Sequence, residues 1–91
     1  VNFDFDAEKN ELLFRERDVT FQNVIDAIKE KGVLADFKHP NMEKYPNQRI
    51  FVVELNNYTY CIPYIENEET VFMKTIFPNR KFLKLLENKN D

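Results

Sequence analysis

The chain has no serine and no tryptophan, and only one glycine (Gly32), one cysteine (Cys61) and one histidine (His39). Without serine, a Ser-His-Asp nucleophile is impossible. A single glycine rules out a glycine-rich phosphate loop. One cysteine cannot form an internal disulfide, and with one histidine it falls short of a zinc ligand set. Cys61 lies mid-strand, where a buried small hydrophobe is expected. No apolar run approaches the ~20 residues of a membrane span, and no signal-peptide pattern is present. A reducing, cytoplasmic setting is the expectation. Positive charge is also short: the net charge is −3 and the pI about 5.2. A general nucleic-acid binder carries a surplus of Lys and Arg, so any RNA contact has to come from a local basic patch.

What the chain does have is apolar and aromatic material. Ninety-one residues with a hydrophobic fraction of 43% and nine phenylalanines are enough for one domain with one core. The stretch from Gln48 to Phe77 reads as three consecutive strands: Arg49–Leu55, Tyr58–Ile65 and Thr70–Phe77. Only Asn56 and Asn57 separate the first two, and asparagine tolerates the positive φ of a two-residue hairpin turn. Such a turn fixes the register, pairing Leu55 with Tyr58, Val53 with Tyr60, Phe51 with Ile62 and Arg49 with Tyr64. One face then carries Phe51, Val53, Leu55, Tyr58, Tyr60, Ile62 and Tyr64, joined by Val71, Met73 and Phe77 if the next hairpin is regular. The other carries Ile50, Val52, Cys61, Ile65, Phe72 and Ile76. Both faces look covered, one of them by another protein. Pro63 lacks a donor in a strand that a simple meander makes central, which calls for a bulge or an edge position.

Ahead of the meander, Phe3–Phe5 is a short extended segment and Asp6 is a helix N-cap. Ala7–Arg17 reads as a helix with Leu12, Leu13 and Phe14 as its apolar content and a Glu11–Arg15 ion pair. Thr20 caps a second helix whose apolar residues Phe21, Val24, Ile25 and Ile28 recur at helical spacing, and Gly32 ends it. Val33–Lys38 reads as a strand and His39–Gln48, with two prolines, as a loop. Arg80–Glu87 forms a terminal helix burying Phe82, Leu85 and Leu86, and Asn88–Asp91 is expected to fray.

The candidate chemistry is a set of basic and polar groups near the ends of the sheet. Arg49 opens a strand, Lys74 interrupts an apolar face, and Arg80 and Lys81 start the last helix. His39 and Tyr45 sit on the loop before the sheet, and Lys9, Arg15 and Arg17 on the first helix. Cations of this kind hold a phosphate and stabilise the negative charge that grows during phosphodiester cleavage, with His39 or Tyr45 as proton donor or acceptor, His39 first. Solvated surface charge is the competing reading of each. The stripe Tyr58, Tyr60 and Tyr64 is expected to be core or interface more readily than a base-stacking platform.

The run F-D-F-D-A-E-K-N from Phe3 to Asn10, followed by Arg15, Val19, Thr20 and Phe21, resembles the opening of BrnT-type toxins, F-x-W-D-x-x-K-N and then R-K-H-G-V-S-F. I-F-P-N-R-K (Ile76–Lys81) resembles that family's I-I-S-A-R-K. Arg17 stands where the family usually has His, and Asp18 where it has Gly, a tolerable change because Asp accepts positive φ. Leu13 and Pro78-Asn79 also depart from the pattern. The resemblance implies a RelE-like ribonuclease toxin that cleaves RNA and arrests translation without a metal or other cofactor. It also implies a cognate antitoxin with a ribbon-helix-helix DNA-binding domain, through which alone operator DNA is bound. Lys9, Arg15 and Arg80 are the positions that carry over as site residues; Arg49, Lys74 and His39 come from the chemistry above. The expected fold is α+β, ordered β-α-α-β-β-β-β-α: a small antiparallel sheet of about four strands with two N-terminal helices and a short C-terminal helix. The antitoxin is expected to cover the open sheet face. A non-catalytic domain that only binds a partner protein is the alternative.

Overall fold

The computed structural model describes residues 1–87 and is an α+β fold. Along the chain come β1 (Asn2–Asp4), α1 (Ala7–Arg17), α2 (Phe21–Lys31), β2 (Ala35–Lys38) and β3 (Arg49–Leu55). They are followed by β4 (Tyr58–Asn67), β5 (Thr70–Met73), β6 (Phe77–Pro78), a 3₁₀ turn (Arg80–Phe82) and α3 (Lys84–Glu87). The sheet runs β1-β5-β4-β3-β2, with β6 also paired to β4. It has six strands where about four were expected. It is mixed rather than antiparallel, because β1 returns to pair parallel with β5. The expected fraying of Asn88–Asp91 lies outside the described residues.

Local chemistry explains the helices. The Asp6 carboxylate accepts from the Lys9 N–H and opens α1, and Asp18 closes it in the left-handed region at φ 56°. Thr20 and Asn23 form a reciprocal capping box on α2, and Gly32 ends it at φ 81°. The two helices are tied together by the Asn10 side chain, which accepts from the Phe21 N–H at 2.8 Å, and by stacking of Phe5 on Phe21 at 4.9 Å. Of the apolar residues of α1, only Leu13 is buried; Leu12 and Phe14 stay 38% and 57% exposed. Glu11 and Arg15 do not come within ion-pair distance; among the described residues the ion pairs are Lys31–Glu54 and Arg49–Asp36.

The β3–β4 hairpin has the expected register, and Asn56 and Asn57 both take positive φ, 53° and 63°. A two-residue turn makes Leu55–Tyr58 a hydrogen-bonded pair, and such pairs alternate along the ladder. Ile50–Pro63 is therefore a non-hydrogen-bonded pair, and the missing N–H of Pro63 faces the other neighbour. There the chain bulges. Between the pairs Tyr64–Met73 and Cys61–Phe77, two residues of β4 (Ile62, Pro63) face three of the next segment (Lys74, Thr75, Ile76). No donor is required of Pro63, and its carbonyl accepts from the Lys74 N–H at 2.8 Å. Arg17 donates from Nη1 to the Ile76 carbonyl at 2.8 Å, fastening α1 to the bulge.

The extra residue reverses the faces that a regular strand over Thr70–Phe77 would have. Ile76 packs with Leu13, Phe21, Val53, Ile62 and Met73 in the core under the helices. Phe77 turns to the second face, with Ile50, Val52 and Cys61. Part of the expected outside cover for that face is supplied by the chain itself, through Phe82, whose ring stacks on Phe37 at 5.7 Å. Phe82, Leu85 and Leu86 are half-buried rather than buried.

Ile76 is fully buried. Ile76→Ala is expected to cost about 2–4 kcal/mol in urea unfolding, and Arg17→Ala about 1 kcal/mol through the lost hydrogen bond to the bulge. An Ile76→Ala loss below about 0.5 kcal/mol, the range of surface substitutions, would put this side chain outside the core.

Candidate functional site

Cys61 is buried as expected, and burial pushes its thiol up. The candidate site residues fall into four separate places. Arg49 lies at the start of β3 on the helix-covered face, opposite Tyr64. Its Nε donates to Asp36 Oδ1 at 3.2 Å, and the Tyr64 hydroxyl reaches both oxygens of the same carboxylate, at 2.9 and 2.8 Å. The Tyr64 hydroxyl and then the Asp36 charge hold the Arg49 guanidinium above its ordinary value. Burial, and then the bond to Asp36, push the Tyr64 hydroxyl up. Arg49 is thus engaged by Asp36 in a half-exposed ion pair.

His39 and Tyr45 do meet. Their rings lie 4.5 Å apart, and Lys44 sits over the Tyr45 ring at 5.4 Å. His39 Nδ1 accepts from the Asn41 N–H at 3.0 Å, so this ring organises the β2–β3 loop. Arg80 and Lys81 are exposed beyond β6, on a turn capped by the Asn79 side chain. Asn79 is fixed by its N–H to the Thr59 carbonyl (3.0 Å) and by the Thr59 hydroxyl to its own carbonyl (2.6 Å). Arg80 is therefore held near Thr59 and Arg49 near Tyr64, five residues or roughly 17 Å apart along β4. The three cations Arg49, Lys74 and Arg80 do not share one phosphate.

The fourth place brings residues together. Lys9, Arg15 and Lys74 line one groove of about 780 Å³ between α1 and the C-terminal end of β5, with Asp6, Glu8, Glu11, Leu12 and Phe72. Lys74 points out to solvent rather than inward, its Nζ 5.3 Å from the Phe72 ring centre. Lys74 follows Phe72 by two residues, and both line the groove. Three carboxylates face the three cations, so the groove is zwitterionic. His39 cannot reach it: three strand spacings, roughly 14 Å, separate the β2 and β5 edges. Arg17, committed to the Ile76 carbonyl, serves the fold.

The tyrosine stripe also belongs to the fold. Tyr64 packs on Phe51 at 4.8 Å, and Tyr60 is half-buried against the helix-side core, its ring edge-on to Tyr58 at 6.0 Å. Two residues were missed from the sequence. Asp36 organises Arg49 and Tyr64, but only the β2–β3 register, set across a loop of ten residues, puts it there. Asn79 holds the C-terminal segment; an asparagine after a proline was the available signal.

Comparison with protein-family models, with curated proteins and with solved structures finds no match to this chain. Among the described residues, no helix is long and apolar enough to cross a membrane.

Tyr64 and Cys61 hold their protons more tightly folded than unfolded, where the ordinary values are 10.0 and 9.0. Their contribution to stability is complete below those values and is lost as pH rises through and above them. Urea unfolding is expected to show falling stability above about pH 9. Tyr64→Phe is expected to cost about 1–2 kcal/mol at pH 7 and to make the alkaline loss shallower. An unchanged alkaline slope would remove Tyr64 as its source.

Proposed function

We propose that the chain is the toxin component of a type II toxin-antitoxin system, a RelE-like endoribonuclease that acts in the cytoplasm to inhibit translation. The observation that carries this reading is the convergence of Lys9, Arg15 and Lys74 on one groove. Lys9 and Arg15 are positions that the resemblance to BrnT-type toxins implies; Lys74 was selected independently, from its chemistry. The element order is that expected of the domain, β-α-α-β-β-β-β-α, with the two-residue β6 added before the C-terminal helical turns.

In this reading the groove cations hold the scissile phosphate and stabilise charge on its oxygens during attack by the ribose 2′-hydroxyl. That geometry needs no metal to generate the nucleophile. A groove carboxylate, Glu8 or Glu11, accepts the 2′-hydroxyl proton in place of His39, which lies too far away; the P–O5′ bond breaks to leave a 2′,3′-cyclic phosphate, and the departing 5′-oxygen takes a proton from water. Arg80 and Lys81 contact the RNA at a second point. The cognate antitoxin, of ribbon-helix-helix type, covers the part of the second sheet face around the cross-strand pair Ile65–Phe72, both half-buried. Operator DNA is bound only through that antitoxin.

A non-catalytic interaction domain is the second reading. It is favoured by the engagement of Arg49 with Asp36 and of His39 with Asn41, and by the equal number of acids and bases in the groove.

Expression of the chain alone in bacteria separates the two. Growth arrest with decay of bulk RNA is expected, relieved at least tenfold in colony count when Lys9, Arg15 and Lys74 are all changed to Ala. Arrest that survives this change but is lost in Arg80→Ala would move the site to the C-terminal turn. Normal growth with intact RNA and soluble protein would leave only the binding domain.

A further inference from the structure

One groove carries a local excess of negative charge. A groove of about 480 Å³ runs between α1, α2 and the open end of β3, floored by Ala27 and Leu55. Its charged residues are Asp18, Asp26, Glu30, Glu54 and Lys31, four acids and one base, a sum of −3. That equals the net charge of the whole protein, so the remaining surface is balanced. Lys31 is already engaged, 3.3 Å from Glu54. By contrast, the α1–β5 groove carries three acids and three bases and has no net charge.

An apolar residue stands in the wall of this acidic groove. Phe14 is 57% exposed although it is aromatic, and it also lines a second hollow of about 560 Å³, with Asn10, Glu11, Arg15 and Thr20. The two hollows flank its ring. Glu11 and Arg15 offset each other in the second hollow, leaving Phe14 as its main apolar surface. Asp26 has one hydrogen bond, from Gln22 on its own helix turn, and this leaves its negative charge uncompensated. Phe14 thus offers an apolar contact on the rim of a groove with an excess of negative charge.

We propose that the α1–α2 face docks a cationic amphipathic helix of a partner protein. Its apolar side chains pack on Phe14, and its Lys or Arg side chains meet Asp18, Asp26 and Glu30. Charge complementarity selects this occupant. A nucleic acid is repelled by the carboxylates, and a second copy of the chain would bring −3 against −3. The acidic groove shares no residue with the RNA groove, although Glu11 and Arg15 line both the RNA groove and the hollow beside Phe14; the docking proposal does not require that the chain cleaves RNA.

The test is fluorescence anisotropy with the full chain and labelled helical peptides of one length. A Lys/Leu amphipathic peptide is compared with its Glu/Leu counterpart and with a scrambled Lys/Leu control. Binding of the Lys/Leu helix is expected, weakening steeply with salt. Phe14→Ala and the pair Asp26→Asn with Glu30→Gln should each weaken it about fivefold or more. All these residues are partly or wholly exposed, and circular dichroism checks that the variants remain folded. Lack of binding by the Lys/Leu helix, or equal binding of the Glu/Leu helix, would overturn the proposal. Binding that both variants leave unchanged would also overturn it. Sedimentation showing a dimer that Phe14→Ala dissolves would assign the face to self-association instead.

Discussion

The structure depends on one extra residue opposite Pro63. A proline in an inner strand removes a ladder donor, and here the neighbouring segment needs none because it bulges at that level. The bulge has two consequences. It sends Ile76 into the core under the helices and Phe77 to the opposite face, so a single segment contributes to both hydrophobic clusters. It also leaves a backbone carbonyl, that of Ile76, for Arg17 to bind. Helix layer, sheet and C-terminal segment are joined at this point.

The residues that carry the family resemblance turn out to have structural duties. Asp6 caps α1, Asn10 binds the Phe21 N–H and Phe5 stacks on Phe21. Such motifs specify how the two helices sit against each other. They speak for a fold more strongly than for a reaction. Lys9, Arg15 and Arg80 are different: none of them has a hydrogen-bond or packing role that accounts for a cation at its position.

Much of the fold was legible because its signals are local. The Asn56-Asn57 turn fixed the β3–β4 register, and Asp6, Thr20 and Gly32 marked helix ends within a residue. Pro63 announced a bulge. What could not be read was on which strand the bulge would lie, and therefore that Ile76 and Phe77 would exchange faces. The parallel return of β1 to β5 depends on a contact between residues nearly seventy positions apart, for which no local pattern exists. The site was less legible for the same reason. Arg49, His39 and Arg17 were picked by residue type, but partners far along the sequence or hidden in a loop (Asp36, Asn41, Ile76) decide that they serve the fold. Lys9, Arg15 and Lys74 come together only through packing of α1 beside β5.

The most direct measurement is an NMR titration of the isotopically labelled chain with a short single-stranded RNA carrying a non-cleavable 2′-methoxy group. Shifts are expected at Lys9, Arg15, Lys74 and their neighbours, with log affinity falling against log salt at a slope of about −2 for three phosphate contacts. Shifts absent from the α1–β5 groove, with or without binding elsewhere, would contradict the assignment of that groove to RNA.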